Sequence, residues 1–162
     1  MMESSRDYAA MPLDEHNKKL RDEVHPCNWS PPQPESIYNL VVIGAGTAGL
    51  ISAIGCASLG GKVALIERYL MGGDCLNVGC VPSKSLIRSS KAAAGTAWAD
   101  RYGLTPHSVG ASNFPAVMKR LRRLRAAISV NDSARRYSRL GVHVFFGDAS
   151  FQDRHTVTVD NL

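Results

Sequence analysis

The chain has 162 residues, 44% of them hydrophobic, with a formal net charge of +5 and a pI near 9.2. That is enough for one domain with a real core. Four cysteines at this length do not make a disulfide scaffold, and a moderate basic excess suits anionic cofactors without arguing for nucleic acid.

In chain order, Met1 to Tyr8 is polar and lacks the apolar core of a signal peptide, which suggests a cytoplasmic protein. Leu13 to Val24 has helical spacing, with Leu13, Leu20 and Val24 on one side. Asp14 and Glu15 stand ahead of Lys18 and Lys19 at i,i+4, the pattern of a short exposed helix. Four prolines between His25 and Pro34 then imply an extended connector. Residues 1–36 therefore read as an extension on the domain surface, with Trp29 as the side chain able to anchor it in a groove.

Tyr38 to Ile43 reads as a buried strand, Thr47 to Leu59 as a helix of small residues, and Lys62 to Glu67 as a second strand. Ser36 to Gly61 is uncharged and long enough to imitate a membrane span, but Gly44, Gly46, Gly49, Gly55 and Gly60 interrupt it. A helix is expected from Ser83 to about Asp100, ending near Gly103. Ser112 or Asn113 caps the next one, with Pro115 in its first turn and Phe114, Val117, Leu121, Leu124 and Ile128 on one face. Its Lys119, Arg120, Arg122, Arg123 and Arg125, followed by Arg135, Arg136 and Arg139, read as a solvated face. No aromatic interleaving supports nucleic-acid binding there. Asp132 is expected to cap a short helix ending at Gly141, and Val142 to Phe146 and Thr156 to Val159 are strand-like. The order of elements gives an α/β, Rossmann-like domain: a mostly parallel sheet with flanking helices.

Gly44-Ala45-Gly46-Thr47-Ala48-Gly49 joins the first strand to its helix. Gly44 permits the tight turn, Gly46 lets a pyrophosphate approach the backbone, and Gly49 lets helix and strand pack. Helix N-terminal N–H groups attract the phosphates. Glu67 closes the second strand about twenty residues on, where an acid accepts ribose hydroxyls. Whether the dinucleotide is a flavin or a nicotinamide the turn alone does not decide.

Gly72-Gly73-Asp74-Cys75-Leu76-Asn77-Val78-Gly79-Cys80-Val81-Pro82-Ser83-Lys84 follows. It reads as a redox-active dithiol at the mouth of a helix. The stretch between the cysteines has no strong helical commitment, so it can fold back and let the sulfurs meet. Gly79 removes a Cβ where the chain turns sharply. Near the helix N-terminus, the dipole and Lys84 should lower the pKa of Cys80. A structural disulfide is unusual in a cytosolic chain, and His107, His143 and His155 repeat no zinc-ligand spacing. Cys27 and Cys56 read as incidental.

The glycine turn and the cysteine block together resemble the class I pyridine nucleotide-disulfide oxidoreductases, the family of dihydrolipoamide dehydrogenase, glutathione reductase and mercuric reductase. Asp74 before the first cysteine, and the lead-in Asn39-Leu40-Val41-Val42-Ile43, look most like mercuric-reductase-like members. The resemblance implies an FAD-binding domain over residues 37–162, the N-terminal portion of a longer subunit whose nicotinamide and dimerisation domains follow. It implies FAD on Gly44, Gly46, Gly49, Glu67, Arg68, Gly73 and Asp74, Lys84 at the reactive edge of the flavin, and Gly147 and Ala149 near its adenine end. Asp74 takes the place of a threonine common in relatives, serving through its backbone or by holding a water or a basic neighbour. It implies NAD(P)H as donor, Cys80 as the flavin-side thiol, Cys75 as the interchange thiol, a small disulfide or Hg(II) as substrate, and a homodimer. The alternative is a non-catalytic dinucleotide-binding module.

Overall fold

The computed structural model describes residues 10–105 and 113–160. Its centre is β2 (Val63–Glu67), a β-branched and aliphatic strand in which every residue is buried. On one side β2 pairs in parallel with β1 (Leu40–Ile43), Leu40 opposite Val63 and Ile43 opposite Ile66. On the other it pairs in parallel with β3 (Val142–Phe146), Val63 opposite Val142 and Glu67 opposite Phe146. Strand β1 is shorter than the expected Tyr38–Ile43 run and is not buried throughout. Val41 and Ile43 are 39% and 48% exposed, because successive side chains alternate faces and only one face of this edge strand is covered.

The covered face carries α2 (Thr47–Ser58), whose Leu50 and Ala53 are buried against the strands. After β2 come a five-residue helix α3 (Gly73–Asn77), the long α4 (Cys80–Ala97) and a 3-10 turn, Ala99–Tyr102, closed by Gly103 at φ 71°. Helix α5 (Phe114–Ile128) starts from Asn113, whose side chain accepts the N–H of Ala116. Ser112, the other expected cap, and His107 lie outside the described residues. The short α6 (Ala134–Arg139) is capped by Ser133 rather than Asp132, because Ser133 has the extended backbone a cap needs and accepts the N–H of Arg136. Asp132 instead ends a 3-10 turn, Ser129–Asp132. Gly141, at φ 84°, follows α6 as expected. A hairpin closes the described chain: the three-residue β4 (Ala149–Phe151), too short to carry a strand pattern, pairs antiparallel with β5 (Val157–Val159).

The N-terminal helix α1 (Glu15–Val24) departs most from expectation. It is not an exposed surface helix: Asn17, Leu20 and Val24 are fully buried, the last two inside the main core cluster with Leu65, Leu76 and Val144. Burying a side chain of this kind stabilises by about 1.5–3 kcal/mol. Asp14 caps the helix by accepting the N–H groups of His16 and Asn17, and its other oxygen takes Arg122 Nε at 2.5 Å. Glu15 reaches Lys119 rather than a lysine of its own helix. Downstream, His25 Nδ1 donates to the carbonyl of Tyr69 and stacks on Phe146. Trp29 is the expected anchor: its Nε1 donates to the Val144 carbonyl at 3.0 Å, so the connector covers backbone at the edge strand β3.

Helix α5 packs against both α1 and α4, which overturns the single-stripe reading of its sequence. The buried residues are Leu121, Arg125 and Ala126, while Phe114 is 61% exposed. Its basic side chains are not uniformly solvated. Arg120 donates to Ser85 and Ser89 on α4, Arg122 pairs with Asp14, and Arg125 lies within the core. Among the described residues no helix is long and apolar enough to cross a membrane.

Candidate functional site

The turn after β1 is built on two contacts with the end of β2. Gly44, at φ 97°, donates its N–H to the Ile66 carbonyl at 2.8 Å. Ala45 N–H donates to Glu67 Oε2 at 2.7 Å. The other Glu67 oxygen accepts the N–H of Tyr69, and the Glu67 carbonyl accepts the N–H of Gly147 at 3.0 Å. Glu67 is 8% exposed, so its carboxylate holds the glycine turn in place, a structural duty its sequence position did not disclose. Each carboxylate oxygen retains a lone pair for a further donor. Arg68 beside it is exposed.

The glycines differ in what surrounds them. A Cβ on Gly49 would sit 1.9 Å from the Gly44 carbonyl oxygen, so this glycine is required by helix–strand packing. Gly46 is different. It stands at the α2 N-cap with φ −77°, open to any residue, and a Cβ there would meet nothing nearer than the Gly73 Cα at 4.0 Å. The fold itself does not need a glycine at position 46. The uncapped first-turn N–H groups of α2 open beside it, the arrangement that takes a phosphate. The residues present therefore fit a dinucleotide pyrophosphate.

The dithiol segment abuts this turn directly. Gly72 N–H donates to the Ala45 carbonyl at 2.8 Å, and a Cβ on Gly73 would strike the Gly46 Cα at 2.7 Å. Gly72 and Gly73 both have positive φ, 88° and 54°, so both conformation and contact demand glycine. Cys75 then lies inside α3 and Cys80 is the first residue of α4, with Gly79 between the helices. Leu76 and Asn77 are thus helical rather than irregular, while Val78 and Gly79 turn the chain between the helices, their N–H groups donating back to the Asp74 carbonyl. A Cβ on Gly79 would sit 2.8 Å from that same oxygen, so the turn needs glycine as expected. Pro82 falls in the first turn of α4, where its missing N–H costs little. Lys84 is one turn along from Cys80 and, like Asp74, exposed.

Both thiols are free, Cys75 half-buried and Cys80 exposed. The expected lowering of the Cys80 pKa is not found. Its thiol is pushed up, chiefly by the hydrogen bond it shares with Cys75 and by the charge there, with Lys84 pulling weakly the other way. The close partner outweighs the pull of Lys84.

A groove of about 450 Å³ between α4 and α5 opens at Cys80, lined also by Val81, Lys84, Arg88, Arg120 and Ile128. A larger, mostly apolar cavity of about 730 Å³ lies on the other face of the sheet, against Val41, Ala64, Ile66 and Phe145. Neither the glycine turn nor a cysteine lines it, so its size says nothing about the chemistry. The structure thus brings together Gly44, Gly46, Gly49, Glu67, Gly73, Cys75 and Cys80, with Gly147 tied to Glu67. Ala149 lies beyond, in β4. Among the described residues no group of three or more His, Cys, Asp or Glu side chains is placed to hold a metal ion.

A mercuric reductase from Streptomyces lividans is 31% identical over 121 residues, 75% of this chain and 26% of that protein. Dihydrolipoyl dehydrogenase from Bacillus subtilis is 41% identical over 83 residues, 51% of this chain and 17% of that protein. The corresponding enzyme of Corynebacterium glutamicum is 59% identical over 56 residues, 35% of this chain and 12% of that protein. The chain therefore spans about a quarter or less of the length of these relatives. A solved structure, the copper(II) complex of a mutant HOCl-induced flavoprotein disulfide reductase from Escherichia coli, shares the fold. It superposes at a TM-score of 0.62 with 24% identity over 78% of this chain and 25% of that one. Residues 38–162, which carry the glycine turn, Glu67 and both cysteines of the dithiol segment, match the sequence model of the pyridine nucleotide-disulphide oxidoreductases, and the chain belongs to that family.

Proposed function

We propose that this chain forms the FAD-binding and dithiol-bearing part of an NAD(P)H-dependent reductase acting on a small disulfide or on Hg(II). The observation that carries the reading is the close approach of Gly46 and Gly73: the glycine turn at the start of α2 abuts the segment that carries the cysteine pair. Gly44, Gly46, Gly49, Glu67, Arg68, Gly73 and Asp74 would hold the dinucleotide, with Lys84 toward its reactive end and Gly147 and Ala149 toward its adenine end. FAD, when bound, supplies a two-electron carrier between pyridine nucleotide and disulfide.

The protein's own share of the chemistry is thiol exchange. The Cys75 thiolate attacks one sulfur of the substrate disulfide and the substrate's other sulfur leaves as a thiolate; Cys80 then attacks the Cys75 sulfur, breaking its bond to the substrate, which leaves as the second thiolate as the Cys75–Cys80 disulfide forms. The proton held on Cys80 is released as it attacks. The same pair of soft thiolates suits Hg(II) as substrate, consistent with the mercuric reductase relatives. Domains binding the pyridine nucleotide and forming a homodimer belong, in this proposal, to the remainder of a longer subunit, and the compartment is cytoplasmic. Residues 37–162 form the FAD domain in this proposal, and α1, within residues 1–36, packs into its core.

Two-electron reduction of the full-length protein tests the reading. It should give a long-wavelength absorption band, with Cys80→Ser erasing the band and Cys75→Ser keeping a band while abolishing turnover. Identical behaviour of the two variants would overturn the division of roles. Stoichiometric flavin with no reducible disulfide would favour a dinucleotide-binding module without turnover.

A further inference from the structure

Arg125 is 5% exposed and sits at the junction of α1, α3 and α5. Its Nη1 donates at 2.5 Å to the carbonyl of Asn77, a residue lying between the two cysteines of the dithiol. Its Nη2 donates at 2.6 Å to Asn17 Oδ1 on α1. Asn17 is itself fixed: its side-chain amide donates to the Pro12 carbonyl, and its backbone N–H to Asp14 Oδ1. Asp14 in turn binds Arg122, one turn before Arg125 on α5. Asn77 braces the same segment from inside, donating its side-chain amide to the carbonyls of Met71 and Gly73. The guanidinium thus grips the middle of the Cys75–Cys80 segment with one nitrogen and the N-terminal helix with the other.

We propose that Asn17 and Arg125 are positioning residues for the dithiol, so that α1, which precedes the family-matched residues 38–162, tunes how readily Cys75 and Cys80 close into a disulfide. The inference rests on the redox reading of the cysteine pair. Closure removes a proton and an electron from each thiol and joins the sulfurs, and it is favoured when the intervening backbone is held with the sulfurs adjacent. Without Asn17, the buried Arg125 Nη2 loses its acceptor and the guanidinium must reorient toward another, relaxing its hold on Asn77.

The test uses the full chain equilibrated with mixtures of reduced and oxidised dithiothreitol, where closing the Cys75–Cys80 disulfide reduces the cyclic reagent to its dithiol. Alkylation and mass spectrometry then count the free thiols. Asn17→Leu should lower the closure constant about tenfold, the scale of one charge-assisted hydrogen bond. Asn17→Asp keeps an acceptor for Arg125 but loses the donor to the Pro12 carbonyl, so its closure constant should lie between those of the parent and Asn17→Leu. If Asn17→Leu does not fold, Arg125→Lys replaces it, with the same direction expected, because a lysine does not span both acceptors. A lowered urea midpoint with an unchanged closure constant would show a purely structural role and overturn the proposal. Failure of the unmutated chain to form a Cys75–Cys80 disulfide would remove the redox reading itself, a result visible before any variant is compared.

Discussion

Replacing Gly46 and Gly49 by alanine separates room left for a ligand from room used by the fold. At Gly49 the new Cβ would lie 1.9 Å from the Gly44 carbonyl oxygen and 3.0 Å from Val42 Cγ1. Restoring ordinary contact requires a shift of about 1.5 Å between α2 and the turn. Overpacking of this kind costs about 1–3 kcal/mol, and a backbone obstacle places Gly49→Ala at the upper end or beyond. At Gly46 the Cβ meets nothing within 4 Å except the Gly73 Cα at that limit, and the backbone angles suit alanine. The unfolded chain loses freedom, which stabilises by about 0.4–1 kcal/mol. Alanine is also a poorer N-cap than glycine, which costs a similar amount. Gly46→Ala should therefore move stability by less than about 1 kcal/mol, against a domain total of about 5–15 kcal/mol. Urea midpoints of the two variants measure this. In full-length protein, Gly46→Ala should nevertheless lose FAD, read as flavin absorbance after gel filtration, and the bulkier Gly46→Val should lose it completely. A Gly46→Ala protein as destabilised as Gly49→Ala, or a Gly46→Val protein retaining stoichiometric flavin, would refute the reasoning.

Three further outcomes follow from the same geometry. In the reduced protein, Cys75→Ser should speed iodoacetamide labelling of Cys80 by removing the partner that raises its pKa; an unchanged rate would show that the partner does not govern that thiol. Burial raises the Asp14 pKa, but the Asn17 N–H and Arg122 outweigh it and hold the carboxyl below its usual value. Its stabilisation is therefore present above the unfolded carboxyl range, about pH 4, and is lost as pH falls through the folded value. The stability deficit of Asp14→Asn should be constant between neutrality and about pH 5 and shrink below about pH 4, and a deficit unchanged in strong acid would exclude the ion pair as its cause. Expressed alone, residues 1–162 should be marginally stable, because the edge strand β1 and the apolar cavity against Ile66 and Phe145 are left open, and without the domains assigned above to the rest of a longer subunit they should hold flavin weakly and show no NAD(P)H-dependent reduction of disulfide or Hg(II). A yellow, active product would contradict that.

The glycine turn, the acid at the end of β2 and the cysteine block were legible in the sequence because each is a local device. Gly44 needs a positive φ, Gly79 needs a missing Cβ, and Glu67 follows at a fixed distance along one strand–helix–strand unit. The helices α2 and α4 and the strands β2 and β3 were legible for a related reason: their periodicity is written in neighbouring residues. Tertiary structure alone decided the rest. Asn17 and Arg125 are 108 residues apart, Trp29 and Val144 are 115 apart, and no spacing rule connects either pair. A helix packed on two sides has no single apolar stripe, so the sequence pattern gives Arg125 as one more solvated cation, whereas α1 covers it. An arginine can be buried only where acceptors converge on its fork, and which acceptors converge is a property of the folded chain, not of the residues beside it in sequence.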